Sequence, residues 1–280
     1  MDFFDPPIIR LVAIPFFATG IFAGLIRWIG GPEAGARLSG ASIGVVFLWL
    51  AAMTNGLPGF PPGFNGDAMV YILMAGLVIG VLLDLYSSAE TFFGKSLQMA
   101  TIMVFGAVLC VWMAGGVGTV SVIVFTVWLI FSFRLWRQHE APGIATVILM
   151  MGAIALVGLA YINGSTTEWN LAVGLSAGLA GTLVWSWGAR NDMVAMSAIL
   201  TAGGALAAIA SRLADTEPTV VAALILLCFI PFADSVAARV IRHEFLLSRM
   251  FKPLTVAGLS LLPVLLSAAI FLVLTQVPTE

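Results

Sequence analysis

Three aspartates, Asp84, Asp192 and Asp234, stand at the ends of long apolar segments, and the pair His139 and Glu140 follows another. Carboxylates brought together from separate helices are the oxygen donors that a hard divalent cation takes, alone or with a phosphate. Ionisable groups near hydrocarbon are costly, so those retained there pair, line a wet cavity or do chemistry. Asp84 closes "GVLLDLYSS", Asp192 lies in "RNDMVAMS", Asp234 in "FIPFADSVAARVIR", and His139 and Glu140 in "FRLWRQHEAPGIA". The plainer reading of each is a helix cap or the partner of a nearby arginine, as Asp192 is placed to be for Arg190. Convergence of Asp84, Asp192 and Asp234 at one end of a helix bundle would make a metal site; separate partners would make three local fasteners.

The elements that must position them are apolar. The 280 residues are 61% hydrophobic and 9% charged, with a mean hydropathy of +1.09. A soluble domain carries roughly a quarter charged residues, so the chain reads as an integral membrane protein. Apolar runs between breakers predict ten spans, at about 8–29, 37–54, 68–86, 96–114, 117–134, 143–163, 169–188, 193–211, 218–238 and 253–275. The loops between them are short, so one all-α membrane domain over residues 1–280 is expected. Of the twelve Lys and Arg, Arg27, Arg37, Lys95, Arg134, Arg137, Arg190, Arg239, Arg242, Arg249 and Lys252 fall at alternate loops, leaving Arg10 and Arg212 for the other side. Basic residues are retained on the cytoplasmic face, which predicts both termini outside and every carboxylate of interest inside.

Other signals carry less. "GLPGFPPGFNGD" and "NGSTTEW" read as connecting turns, and Cys110 and Cys228 as small buried residues with no ligand spacing. The start "MDFFDPPIIRLVAIPFF" lacks the basic region and cleavage site of a signal peptide, so the first apolar run is expected to stay. The formal charge of -2 argues against a nucleic-acid partner. Glycines four apart, Gly20 and Gly24, Gly40 and Gly44, Gly76 and Gly80, Gly174 and Gly178, predict close helix crossings.

From about residue 8 to residue 275, the order of spans and charges resembles the bacterial polyprenyl-phosphate N-acetylhexosamine-1-phosphate transferases (glycosyltransferase family 4 type). These load a sugar phosphate from a UDP-sugar onto a lipid carrier. In that family the third span ends in an Asp-Asp pair, and a Lys and a Gln follow about a dozen residues later. Here Leu83 and Asp84 stand in place of the pair, with Lys95 and Gln98 near the other two positions. Pro231, Asp234 and Arg242 match an Ile-Pro-Leu-x-Asp segment followed by arginines, and Asp192 matches the aspartate of a Gly-Asp-Ala-Gly-Ser loop. The resemblance implies a bacterial cytoplasmic (inner) membrane, periplasmic termini and a membrane-lipid partner of the polyprenyl phosphate kind. It also implies Asp84 and Asp192 as catalytic positions and Asp84, Asp192 and Asp234 as metal positions. Lys95, Gln98, Arg134, Arg137, His139, Glu140, Arg242 and His243 become the binding positions.

The departures from the family pattern are as specific as the matches. Its central Asn-x-x-Asn-x-x-Asp-Gly-x-Asp-Gly motif corresponds to "FRLWRQHEAPGIA", where only Gly143 matches; His139 and Pro142 replace the two aspartates and Glu140 is one place off register. Met193 and Val194 replace the loop glycines, and His243 is what remains of a histidine-rich segment. Mg²⁺ holds an octahedral shell and gives up water reluctantly, so losing two anionic ligands removes the ion that would neutralise the diphosphate. The resemblance thus implies a pseudoenzyme with no cofactor, a subunit or lipid-binding scaffold of a membrane glycan pathway with a membrane-protein partner or a second copy. Two alternatives stay open: an active transferase using Mg²⁺ at a rearranged site, and an unrelated small-solute transporter. On the first reading Asp84 is a remnant, and Asp84→Asn is expected to alter stability only slightly.

Overall fold

The computed structural model describes residues 8–60, 62, 65–87, 91–138, 142–187, 195–217, 219–240 and 246–276, and among these every regular element is helical. Nine helical segments among the described residues are long and apolar enough to cross a membrane. They are α1 (Ile9–Gly30), α2 (Glu33–Asn55), α3 (Asp67–Tyr86), α4 (Phe92–Met113), α5 (Thr119–Trp136), α6 (Gly143–Ile162), α8 (Met196–Thr216), α9 (Val220–Arg239) and α10 (Phe251–Thr275). Between α6 and α8 lies α7 (Thr166–Ser186), of comparable length at 21 residues but diluted by Gly, Ser, Thr, Asn and Glu168. The chain is an all-α polytopic membrane protein, as its composition requires.

Element ends moved where polar chemistry, invisible to an apolar-run reading, sets them. Helix α4 begins a turn earlier than its apolar run because the Thr91 Oγ1 accepts the Gly94 N–H at 3.0 Å, capping the new terminus. Helix α8 begins later and ends later than expected, for a reason that belongs to the site below. Gly31, Gly56 and Gly164 follow the ends of α1, α2 and α6 with φ between 72° and 89°, the left-handed geometry that stops a helix cheaply only at glycine.

Helix α8 is the axis of the molecule: 94% of its span is buried, against 72% for α6 and 17% for α1. It packs against α2 to α7 and α9. Its sequence, "MSAILTAGGALAAIASRLADT", is dominated by Ala, Gly, Ser and Thr, which lets neighbouring backbones close on it from several sides. Two of the expected glycine pairs face it directly. On α2, a Cβ at Gly40 would lie 2.6 Å from the Ala195 Cβ, and one at Gly44 would lie 2.9 Å from the Thr201 Cγ2. On α3, a Cβ at Gly80 would run into the Ser197 backbone, while Gly76 makes room for the Phe105 ring.

The other two pairs serve α7, which among the described long helices is the one that is not strongly apolar. Gly181 of α7 abuts the Phe16 carbonyl, Gly178 faces Thr19 and Gly174 accommodates Leu50, while Gly20 and Gly24 of α1 meet Gly181 and the Trp185 ring. The Trp185 Nε1 donates to the Gly20 carbonyl at 2.8 Å, and the Arg27 Nη1 donates to the Trp185 carbonyl at 3.2 Å. An arginine at that carbonyl complements the negative end of the α7 dipole.

Gly80→Leu would force α3 away from α8 and is expected to cost about 1–3 kcal/mol or more. Gly158 on α6 has open space around its Cβ position, so Gly158→Ala should be neutral or stabilising by up to about 1 kcal/mol. Thermal unfolding of both variants in one micelle system checks the contrast; equal effects would mean that helix propensity, not close approach, governs these positions.

Candidate functional site at the basic end of the bundle

The site is built where α3, α5 and α9 end and α4 and α8 begin. Helix α8 starts with four unsatisfied backbone N–H groups, and its N-cap residue, Ala195, has no side chain to meet them. Asp84, in the last turn of α3, meets them instead. Its Oδ1 accepts the Met196 N–H at 2.6 Å, and its Oδ2 accepts the Ser197 N–H at 3.0 Å and the Ser197 hydroxyl at 2.7 Å. The carboxylate is buried and lies at the positive end of the α8 dipole. It is a helix cap supplied from 112 residues away.

Gln98 makes a second fastener one turn into α4. Its Nε2 donates to the Ser87 Oγ at 2.8 Å and its Oε1 accepts the Trp136 Nε1 at 2.8 Å, which ties the ends of α3 and α5 to the start of α4. The residue is buried and both ends of its amide are engaged. Lys95, one turn earlier on the same helix, is exposed, as is Arg137 after the end of α5.

Asp234 belongs to a third unit. The Arg134 Nη2 pairs with its Oδ1 at 3.0 Å and donates to the Ser235 Oγ, and the Arg134 Nε donates to the Pro231 carbonyl at 3.4 Å. The guanidinium also stands 5.1 Å from the centre of the Phe232 ring. These contacts hold the place where α9 breaks: the helix Val220–Leu227 gives way to a short 3-10 turn at Ile230–Phe232 and resumes at Ala233–Val240. Pro231 cannot donate to the helix ladder, and at the break the Arg134 Nε donates to the Pro231 carbonyl.

Asp84 and Asp234, two of the three expected metal positions, therefore have different partners. Asp192, His139, Glu140, Arg242 and His243 lie outside the described residues. Among the described residues, no three His, Cys, Asp or Glu side chains gather as a metal shell would require. Leu83, the neighbour of Asp84, is buried in the apolar core, and Pro142 opens a helix as its first residue. No protein-family model matches the chain, and no curated protein sequence does either.

One pairing escaped the sequence reading altogether. At the opposite end of the bundle, the Arg212 Nε pairs with the Glu168 Oε1 at 2.9 Å, joining the late part of α8 to the first turn of α7, with both side chains largely buried. Near it the Asn163 Nδ2 donates to the Ser165 Oγ and the Thr216 Oγ1. Arg212 was one of only two basic residues assigned to that face, and it is neutralised by its partner.

The cap changes what Asp84→Asn should do. An asparagine keeps one acceptor but turns an NH₂ group toward donors, so a stability loss of about 1–2 kcal/mol is expected rather than a slight one. Ser197→Ala removes one of the three bonds and should cost about 1 kcal/mol. In a double-mutant cycle with Asp84→Ala the two losses should fall short of additivity, because they share one contact; additive losses in denaturant unfolding would refute the cap.

Proposed function

We propose that the chain is a scaffold or lipid-binding subunit of a bacterial cytoplasmic membrane, with the layout of a polyprenyl-phosphate sugar-1-phosphate transferase but without phosphotransfer. The observation that carries this reading is the engagement of Asp84, whose two oxygens already accept three hydrogen bonds at the α8 terminus. A carboxylate so used is a poor ligand for Mg²⁺, which demands near-ideal geometry at about 2.0–2.1 Å. Asp234 is likewise committed to Arg134 and the α9 break. Exposed Lys95, Arg137 and Arg239 suit anionic headgroups, including the phosphate of a polyprenyl carrier.

The test is exchange of labelled UMP into UDP-N-acetylhexosamines by the purified chain in vesicles containing undecaprenyl phosphate and Mg²⁺. No exchange above the protein-free level is expected. A Mg²⁺-dependent turnover that Asp84→Asn abolishes, in protein that still elutes as folded, would establish the active-transferase alternative.

This reading includes ten spans with both termini in the periplasm. Support comes from the concentration of basic residues at alternate helix ends. A cysteine at Thr166 should react with an impermeant reagent from outside intact cells, and one at Lys95 only after permeabilisation. The reverse pattern would invert the orientation.

A further inference from the structure

Helices α3 and α4 are tied together at the basic end by the Gln98–Ser87 bond and part above it, leaving a groove of about 420 Å³ open to the bundle surface. One wall is Ala75 and Ile79 of α3, and the other is Ala100, Val104 and Val108 of α4. Ile72 and Phe105, both buried, form the floor. The groove is held open from within: the Phe105 ring sits against Gly76 and meets the Trp128 ring at a tilt, 5.9 Å between centroids, while Trp128 is itself fixed by donating to the Ile102 carbonyl at 3.1 Å. Small alanines on both walls and a rigid aromatic floor give a preformed channel rather than a loose seam.

Its chemistry excludes water. Among the described residues that line it none is charged, Tyr71 is engaged with the Gly59 carbonyl at 3.2 Å and Thr101 with the Leu97 carbonyl at 2.8 Å, and the Trp112 indole stands at the far end. A buried water needs two to four polar partners, and an unfilled apolar groove forfeits dispersion contacts. Hydrocarbon is what remains. The thirteen residues from Ala100 to Trp112 span about 18 Å of helix, close to the ~15 Å depth of one leaflet's hydrocarbon. At its far end stand Trp112, and Tyr71 with Phe60 edge-on at 6.2 Å, aromatic residues of the kind that sit at headgroup level.

Volume selects the occupant. An α-helix of another copy, about 10 Å across, would need roughly 1,400 Å³ over the same 18 Å. A single hydrocarbon chain, about 4–5 Å across from carbon contact distances, needs roughly 230–350 Å³. We infer that this groove binds one acyl chain of a phospholipid from the leaflet at the Trp112 end, held longer than the lipid that merely surrounds the bundle. The inference is independent of the fate of the carboxylates at the other end.

Native mass spectrometry of the full chain, exchanged into detergent with a phosphatidylethanolamine of defined mass, tests this. One retained phospholipid per chain is expected. Ala100→Phe and, from the opposite wall, Ala75→Leu should each lower its occupancy at least fivefold, whereas Leu262→Phe on the exposed side of α10 should leave it unchanged. Either wall variant alone suffices if the other does not fold. Loss of the lipid from the native chain on exchange, equal occupancy in folded wall variants, an isoprenoid lipid mass in place of the phospholipid, or a second chain in its place would each overturn the assignment.

Discussion

The bundle depends on how its central helix is held. In water, α8 would be driven inward by its apolar side chains, but in a bilayer the surrounding tails are as apolar as the core, and that force is absent between helices. What remains is close packing and polar contact. Helix α8 has the side chains for the first, and Asp84 supplies the second at the terminus where four N–H groups would otherwise have no partner. Fixing that terminus fixes the depth of α8 relative to α3. Gly40, Gly44 and Gly80 then meet residues 195–201 in the one register that their missing side chains allow.

The same logic explains why the polar fasteners sit at helix ends. Gln98 joins three helices and Arg134 braces the break in α9, and both act where α3, α5 and α9 leave the apolar region. A side chain such as Arg134, part-buried beside Asp234 and above an aromatic face, keeps its charge paired at modest desolvation cost. Placed at mid-span, the same pair would face hydrocarbon. The fold's polar contacts thus form a clasp at one end, with Arg212 and Glu168 closing the other.

Much of the helical architecture was legible in the sequence, because a span needs about twenty apolar residues and the breakers between them are Gly, Pro and Asn. The glycine pairs were legible too, since four-residue spacing puts small residues on one helix face. The role of Asp84 was only half visible. Its position at the end of an apolar run marked it as unusual, but its partner is a backbone terminus 112 residues away, and no periodicity encodes such a pairing. A signal did exist at the terminus itself: "AMSAIL" begins a helix behind Ala195, whose side chain cannot cap it. The Glu168–Arg212 pair was hidden for the same reason, each residue looking like an isolated turn charge until α7 and α8 are laid side by side.

A carboxylate used as a remote cap also explains how a buried aspartate is tolerated with no metal beside it. With no partner, a buried charge at Asp84 would be a defect on the order of several kcal/mol. The α8 terminus removes that penalty, because its N–H groups and the Ser197 hydroxyl satisfy both oxygens with no metal required. Leu83 beside it is buried in the apolar core and adds no charge there. The aspartate at 84 is therefore accounted for by the fold itself, through the three hydrogen bonds at the α8 terminus, with no ion needed beside it.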